Sequence, residues 1–100
     1  MKPLRFVWDT AKAAANRRKH GVTFEEARTV FLDEQALLLA DPEHSDEEDR
    51  FVLVGLSAGL RILVVVHAYR DAEGVIRLVS ARKANRREQR IYTERSPSPN

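Results

Sequence analysis

The chain has 100 residues, no cysteine, and 17 lysines and arginines against 15 acidic residues, for a net charge of +2. The length predicts a single domain, and the lack of cysteine excludes a disulfide framework and a thiolate metal site. No apolar stretch has the length of a bilayer span or the pattern of a signal peptide, so we expect a cytoplasmic protein with no membrane partner.

Charge is unevenly distributed along the sequence. Residues 1–30 carry seven basic side chains against three acids, residues 31–50 carry eight acids against one arginine, and residues 77–95 carry seven basic side chains against two acids. If the two basic ends meet in the fold, one face becomes strongly positive. Such a face suits a phosphate backbone.

The first predicted elements are a strand and a helix. Residues 4–8 are rich in β-branched and aromatic side chains, which favours a short strand. Asp9 is placed to cap a helix that runs through Lys19. Gly21 then supplies the left-handed conformation that commonly ends a helix.

A second helix follows at once. Thr23 and Glu26 have the three-residue spacing of a capping box, in which each side chain binds the other residue's backbone. The apolar positions that follow, up to Phe31, fall on one face at helical spacing. We therefore expect this helix to pack on an apolar surface.

The rest of the chain reads as strands and a final helix. Strands are predicted at residues 36–40, 50–57, 60–69 and 75–82, with turns at Ala58-Gly59 and at residues 71–74, which indicates an antiparallel meander. A helix is predicted at residues 84–94, and a disordered tail is predicted at residues 95–100. The order β-α-α-β-β-β-β-α is typical of the α+β class, with residues 1–94 forming one domain.

The common metal and nucleotide motifs are missing. The three histidines, His20, His44 and His67, lack the spacing of metal ligands, so we expect no metal and no cofactor. Gly55 and Gly59 flank a predicted hairpin instead of opening a helix, so they are not a nucleotide-binding fingerprint, and Gly59 is interpreted as a turn residue.

Basic residues on the predicted sheet are the remaining candidates for a site. Strand alternation places Ile76, Leu78, Ser80 and Arg82 on one face of the last strand. Each basic residue also has a structural interpretation: an arginine beside a hairpin is often solvated at an edge, and a histidine in a strand is often a core residue.

Three blocks of sequence, in order, carry a family resemblance. They are "WD" with "KHGVTFEEA" (residues 8–9 and 19–27), "EDRFVLVGLS" (residues 48–57) and "IRLVSARKA" (residues 76–84). With these blocks the chain resembles the BrnT family of bacterial type II toxins, which are small ribonucleases, from about residue 6 to residue 92.

The resemblance implies a RelE-like fold and a function that composition does not show. The implied activity is metal-independent endoribonuclease cleavage of RNA, which inhibits translation. The implied partner is a ribbon-helix-helix antitoxin of the BrnA kind. It would bind the toxin in a hetero-oligomer, neutralise it, and contact operator DNA so that the complex represses its own operon.

The predicted chemistry uses the 2′-hydroxyl of the RNA as nucleophile. It needs a base, an acid and a cation for the charge that develops on phosphorus. Arg61 and Arg82 are predicted as the cations, because a guanidinium matches two phosphate oxygens. His67 is predicted as the acid or base, with Glu48 and Glu88 as alternatives.

The remaining predicted site residues hold the RNA. Ser80 and Tyr92 are predicted to position a phosphate. Backbone binding by positive charge is predicted for Lys12, Lys19, Arg86 and Arg90. Two alternative functions use the same residues: a non-catalytic basic binding module, and a degenerate toxin that serves as a regulatory subunit.

Overall fold

The structure is a computed structural model that describes residues 4–41, 50–70 and 74–95. Its elements are β1 (Arg5–Val7), α1 (Thr10–His20), α2 (Phe24–Thr29) with a 3-10 turn (Val30–Leu32), β2 (Leu37–Ala40), β3 (Arg50–Leu56), β4 (Ile62–Arg70), β5 (Val75–Lys83) and α3 (Arg86–Arg95). The predicted α+β class and element order are confirmed. Within those ranges no helix has the length and apolar character needed to cross a membrane. The predicted tail lies outside the described residues from position 96 onward.

The five strands form one sheet in the order β1-β5-β4-β3-β2. Strands β2 to β5 are the antiparallel meander that the sequence predicts. Strand β1 adds to the free edge of β5 in parallel, so the sheet is mixed. A parallel neighbour requires a long crossover, and the chain from β1 to β5 includes both N-terminal helices.

Helix boundaries follow the capping residues. The Asp9 carboxylate accepts the backbone N–H of Lys12 at 2.9 Å, and Gly21 ends α1 with φ of 70°. The Thr23 hydroxyl accepts the backbone N–H of Glu26 at 3.0 Å. These three predicted caps are confirmed, although the Glu26 carboxylate is bound elsewhere, as described below.

Helices α1 and α2 cover one face of the sheet, which we call the helix-covered face. Its core consists of Val22, Phe24, Ala27 and Val30 from the helical side and Leu53, Leu63, Val65, Ile76, Leu78 and Ala81 from the strands. Phe24 is fully buried, and burial of such a side chain contributes about 1.5–3 kcal/mol. The predicted apolar stripe of the second helix is therefore confirmed.

A buried asparagine joins α1 to the edge of β5. The Asn16 amide donates to the Ala81 carbonyl at 2.8 Å and its oxygen accepts the Ala81 N–H at 3.0 Å. The same amide nitrogen donates to the Val22 carbonyl at 3.0 Å. Asn16 thus bonds to both the N–H and the carbonyl of Ala81, at the edge of β5, as a neighbouring strand would.

Within the described part of the chain, the opposite face of the sheet is covered only in part, by α3, and we call it the α3 face. Val54, Val64 and Ala84 are buried there, and Tyr92 of α3 packs against them. No residue of α3 is itself buried. Farther along the same face, Val52 and Val66 are only partly buried, so the described residues leave part of the sheet surface uncovered.

A bulge in β5 changes which side chains share a face. Val66 lies opposite Ser80, but the next residue, His67, lies opposite Leu78. Val79 is therefore an extra residue in β5, and such an insertion shifts the side-chain alternation beyond it.

The prediction that Ile76, Leu78, Ser80 and Arg82 share one face is wrong for this reason. Ile76 and Leu78 belong to the core of the helix-covered face. Arg82 lies opposite Val64, which is buried on the α3 face. Simple alternation fails here because the sequence does not reveal the extra residue.

Candidate functional site

The main feature of the α3 face is an arginine held by a carboxylate. Arg82, near the end of β5, donates from Nη1 and Nη2 to the two carboxylate oxygens of Glu88, each at 2.8 Å. Arg82 Nη1 also donates to the Lys83 carbonyl at 3.3 Å. The Arg82 side chain remains 42% exposed, so an ordered positive charge lies at the surface beside the open part of the sheet.

The start of α3 fixes Glu88 in turn. The Asn85 side chain accepts the Glu88 N–H at 2.8 Å, and Glu88 Oε1 accepts the Asn85 N–H at 2.9 Å. These reciprocal bonds form a capping box. The hydrogen bonds from Arg82 lower the pKa of Glu88, so this carboxylate is ionised at neutral pH.

The far part of α3 is anchored by Tyr92. Its hydroxyl donates to Asp33 Oδ2 at 2.6 Å, and the same oxygen accepts the Leu56 N–H at 2.8 Å. Burial and the Asp33 carboxylate raise the pKa of Tyr92 to about 12. The predicted phosphate-positioning hydroxyl is thus a protonated donor that already binds a carboxylate.

The second predicted cation, Arg61, lies on the helix-covered side. Its Nε donates to Glu26 Oε2 at 3.0 Å and its Nη2 donates to Glu26 Oε1 and to the Gly21 carbonyl at 3.3 Å. The Ser57 hydroxyl also donates to Glu26 Oε2, at 2.6 Å. We call Glu26, Ser57 and Arg61 the turn cluster, because it ties the β3–β4 turn to α2.

The turn cluster also explains Gly59. A Cβ at this position would lie 2.8 Å from Glu26 Oε2, whereas the left-handed residue of the turn is Leu60, with φ of 62°. The turn at this position is confirmed. Gly59 is there because the Glu26 carboxylate approaches its backbone closely, which a side chain would block.

The predicted acid or base, His67, is fully buried on the helix-covered face. Its ring packs against those of Phe31, Phe51 and Tyr69, at centroid distances of 4.8, 6.2 and 5.3 Å. Nδ1 lies 3.3 Å from the Val65 carbonyl oxygen, and Nε2 has no partner among the described residues. Burial lowers the pKa of His67, so the ring is neutral. The structure does not bring it to Arg82.

Comparison with known proteins identifies the family. Residues 8–88 match the family described as "Ribonuclease toxin, BrnT, of type II toxin-antitoxin system". The chain belongs to the BrnT family. Its members are ribonuclease toxins that work with an antitoxin, and this chain is therefore an endoribonuclease of that kind. No curated protein matched the chain.

A solved BrnT structure has the same fold. The chain is similar to the Brucella abortus ribonuclease toxin BrnT, crystallised at 1.1 Å resolution, with a TM-score of 0.63 and 24% sequence identity. The similarity covers 84% of this chain and 100% of the other. The family match itself ends at Glu88, so it includes Arg61, Arg82 and the start of α3 but not Tyr92.

The predicted RNA-binding residues of this BrnT-family chain lie on two helices. Lys12 and Lys19 are exposed on α1, and Arg86 and Arg90 are exposed on α3. The bond between Asn16 of α1 and Ala81 brings α1 to the residue next to Arg82. Helix α1 therefore approaches the edge of β5 beside Arg82, while α1 and α3 lie on opposite faces of the sheet.

Two features of the site are not among the residues predicted from the sequence. The first is Asn85, although the capping-box spacing of Asn85 and Glu88 in "NRRE" is a local signal for it. No sequence signal assigns Glu26 to Arg61, which lies 35 positions away.

Among the described residues no group of three or more His, Cys, Asp or Glu could hold a metal. His44 and Glu48 lie outside those residues.

Proposed function

We propose that this chain cleaves RNA on the open part of the α3 face, with Arg82 as the cation that binds the reacting phosphate. One observation carries the proposal: Arg82 is held in a fixed orientation by Glu88 while its side chain stays 42% exposed. A preorganised guanidinium at an accessible surface is the group that a negatively charged transition state needs. Exposed basic residues on α1 and α3 supply longer-range attraction.

The proposed reaction uses the 2′-hydroxyl of the substrate. Its oxygen forms a bond to the adjacent phosphorus while the bond from phosphorus to the 5′-oxygen breaks. The 2′-hydroxyl loses a proton to a base and the leaving 5′-oxygen gains one from an acid. The products are a 2′,3′-cyclic phosphate and a 5′-hydroxyl, with no metal required.

Ser80 is the second residue that we assign to the phosphate. It lies two positions before Arg82 on β5, opposite Val66, which is half-exposed. Two residues along a strand span about 6.6 Å, so a hydroxyl and a guanidinium can bind oxygens of one or two neighbouring phosphates. Arg61 and His67 are left out of the proposed site, because Arg61 lies on the helix-covered side, where it bonds to Glu26 and Gly21, and His67 is buried.

The proposed partner is a ribbon-helix-helix antitoxin of the BrnA kind. Membership of a type II toxin–antitoxin family supports an antitoxin, and the basic end of β5 offers a surface that an acidic antitoxin segment would cover. We propose that this complex contacts operator DNA through the antitoxin and represses its own operon. Cleavage of cytoplasmic RNA by the free toxin would inhibit translation.

The test is incubation of the purified chain with RNA, with and without a metal chelator. We expect the same rate of cleavage in both, and fragments that end in a 2′,3′-cyclic phosphate. Loss of cleavage with chelator would contradict the metal-independent route. Tight RNA binding without fragments would instead favour the non-catalytic binding module.

A further inference from the structure

An arginine side chain has two edges that can each bind a pair of oxygen atoms. One edge carries Nη1 and Nη2, and the other carries Nε and Nη2, because the planar guanidinium presents five N–H bonds in a fixed fork. In Arg82 the first edge is bound to both oxygens of Glu88. Glu88 therefore uses one edge of Arg82, and a ligand would have to bind the other.

The second edge of Arg82 is unoccupied among the residues that the structure describes. Its Nε–H has no protein acceptor there, and Nη2 uses one hydrogen for Glu88 and keeps another. The side chain is 42% exposed, against 24% for Glu88. Two oxygens of a phosphate match the spacing of this second edge.

Glu88 is well placed to hold the Arg82 guanidinium in one orientation and poorly placed to transfer a proton. Oε1 accepts from both Arg82 Nη1 and the Asn85 N–H, and Oε2 accepts from Arg82 Nη2. The bond that Glu88 Oε1 accepts from the Asn85 N–H fixes the carboxylate at the first turn of α3. A carboxylate that accepts three such bonds holds no proton to donate near neutral pH.

We propose that Glu88 is a positioning residue that acts through Arg82. It holds the Nη1–Nη2 edge so that the Nε–Nη2 edge is presented to a substrate phosphate. This inference rests on the proposed ribonuclease function and adds a role for Glu88 that differs from general acid or base catalysis.

Replacement by glutamine separates this role from helix capping. Glutamine at this position of a capping box still binds the backbone of the capping residue, so Glu88→Gln preserves the start of α3. It leaves only one oxygen for Arg82 and turns an amide NH₂ toward the guanidinium. The matched control is Glu94→Gln, which removes the same charge from an exposed position at the other end of α3.

The first readout is steady-state RNA cleavage by the full chain. We expect Glu88→Gln to lower kcat by about 10- to 100-fold, because small displacements of a catalytic group have effects of this size. KM should change by less than about threefold, since the charge that attracts RNA remains. Glu94→Gln should match the wild type. Equal kcat values for the two glutamine variants would overturn the inference and leave the ribonuclease function intact.

A double variant tests whether Glu88 acts through Arg82. In an Arg82→Lys background there is no guanidinium to orient, so Glu88→Gln should change kcat by less than about twofold. A loss as large as in the wild-type background would show that Glu88 acts on the substrate directly, and would overturn the inference.

The second readout does not depend on RNA cleavage. The Nε–H resonance of Arg82 in the ¹⁵N-labelled chain is followed while inorganic phosphate is added. We expect a saturable shift in the wild type and in Glu94→Gln, and a loss of that shift in Glu88→Gln. If the wild type cleaves no RNA, the proposed function fails, and this titration alone decides the inference. Equal shifts in all three proteins would overturn it.

Discussion

Two arginine–glutamate pairs lie at the same end of the sheet but on opposite faces, and they differ in what surrounds them. Arg61 and Glu26 lie within the turn cluster, where Ser57, the Gly21 carbonyl and the Gly59 backbone occupy the space around the ion pair. Among the described residues, Arg82 and Glu88 lie beside an uncovered strip of sheet, and their other hydrogen-bond partners are Asn85 and Lys83.

The same kind of ion pair can therefore serve folding in one place and binding in another. Each guanidinium has three acceptor atoms: two on Glu26 and one on Gly21 for Arg61, and two on Glu88 and one on Lys83 for Arg82. In Arg61 these bonds use Nε and both hydrogens of Nη2, so neither edge keeps two donors, whereas in Arg82 they leave Nε–H and one Nη2 hydrogen on the same edge. Arg82 keeps one edge without a partner in the described part of the chain. We therefore assign stability to the first pair and phosphate binding to the second.

The largest expected effect is on catalysis by the second pair. Arg82→Ala removes the preorganised cation, and removal of one such group lowers rates by about 100- to 1,000-fold. Single-turnover cleavage of a defined RNA measures this effect. Arg28→Ala is the matched control, because Arg28 is exposed on α2. A rate for Arg82→Ala within about threefold of this control would contradict the assignment.

Breaking the first pair should affect stability instead. Arg61→Ala leaves the Glu26 carboxylate without its main donor, and an unsatisfied, partly buried acceptor costs about 1–3 kcal/mol. Urea unfolding should show this loss, while cleavage per folded molecule stays within about threefold of the wild type. A large drop in cleavage with an unchanged free energy of unfolding would contradict the assignment of stability to the Arg61–Glu26 pair.

Both pairs should make the fold sensitive to acid. The hydrogen bonds from their arginines lower the pKa of Glu26 and of Glu88 below the ordinary value of 4.5. A carboxylate whose folded-state pKa is depressed stabilises the fold above its unfolded pKa, and this contribution is lost as the pH falls through the folded value. We expect the free energy of unfolding to decrease below about pH 4.5, and to decrease less in Glu26→Gln.

His67 should produce the smallest effect on activity and a separate pH window. Burial lowers its pKa below the ordinary 6.5, so the unfolded chain binds the proton more tightly and stability falls as the pH drops below that value. His67→Leu should reduce the loss of stability as the pH falls below about 6.5 and leave cleavage within about twofold of the wild type. A tenfold loss of cleavage would show instead that His67 takes part in catalysis.

The sequence predicted those parts of the fold that depend on neighbouring residues. Asp9, Gly21 and Thr23 act over one helical turn, and the strands and helices were placed within a few residues of their observed ends. The parallel pairing of β1 with β5 and the Asn16 bond to Ala81 join distant segments. No local pattern contains that information.

The site was predictable in its chemistry more than in its geometry. Arg61 and Arg82 look alike in sequence, since both lie near strand ends in a basic context. The extra residue at Val79 decides which face Arg82 occupies. Contact with Glu26 or Glu88 then decides how much of each guanidinium is available, and Glu26 is 35 positions from Arg61.

The most direct test of phosphate binding by Arg82 follows the Nε–H resonances of both arginines during titration with a non-cleavable RNA, which carries a 2′-deoxy nucleotide at the cut site. We expect the Arg82 resonance to shift and saturate, while the Arg61 resonance stays in place. A saturable shift of Arg61 with no response of Arg82 would contradict this expectation.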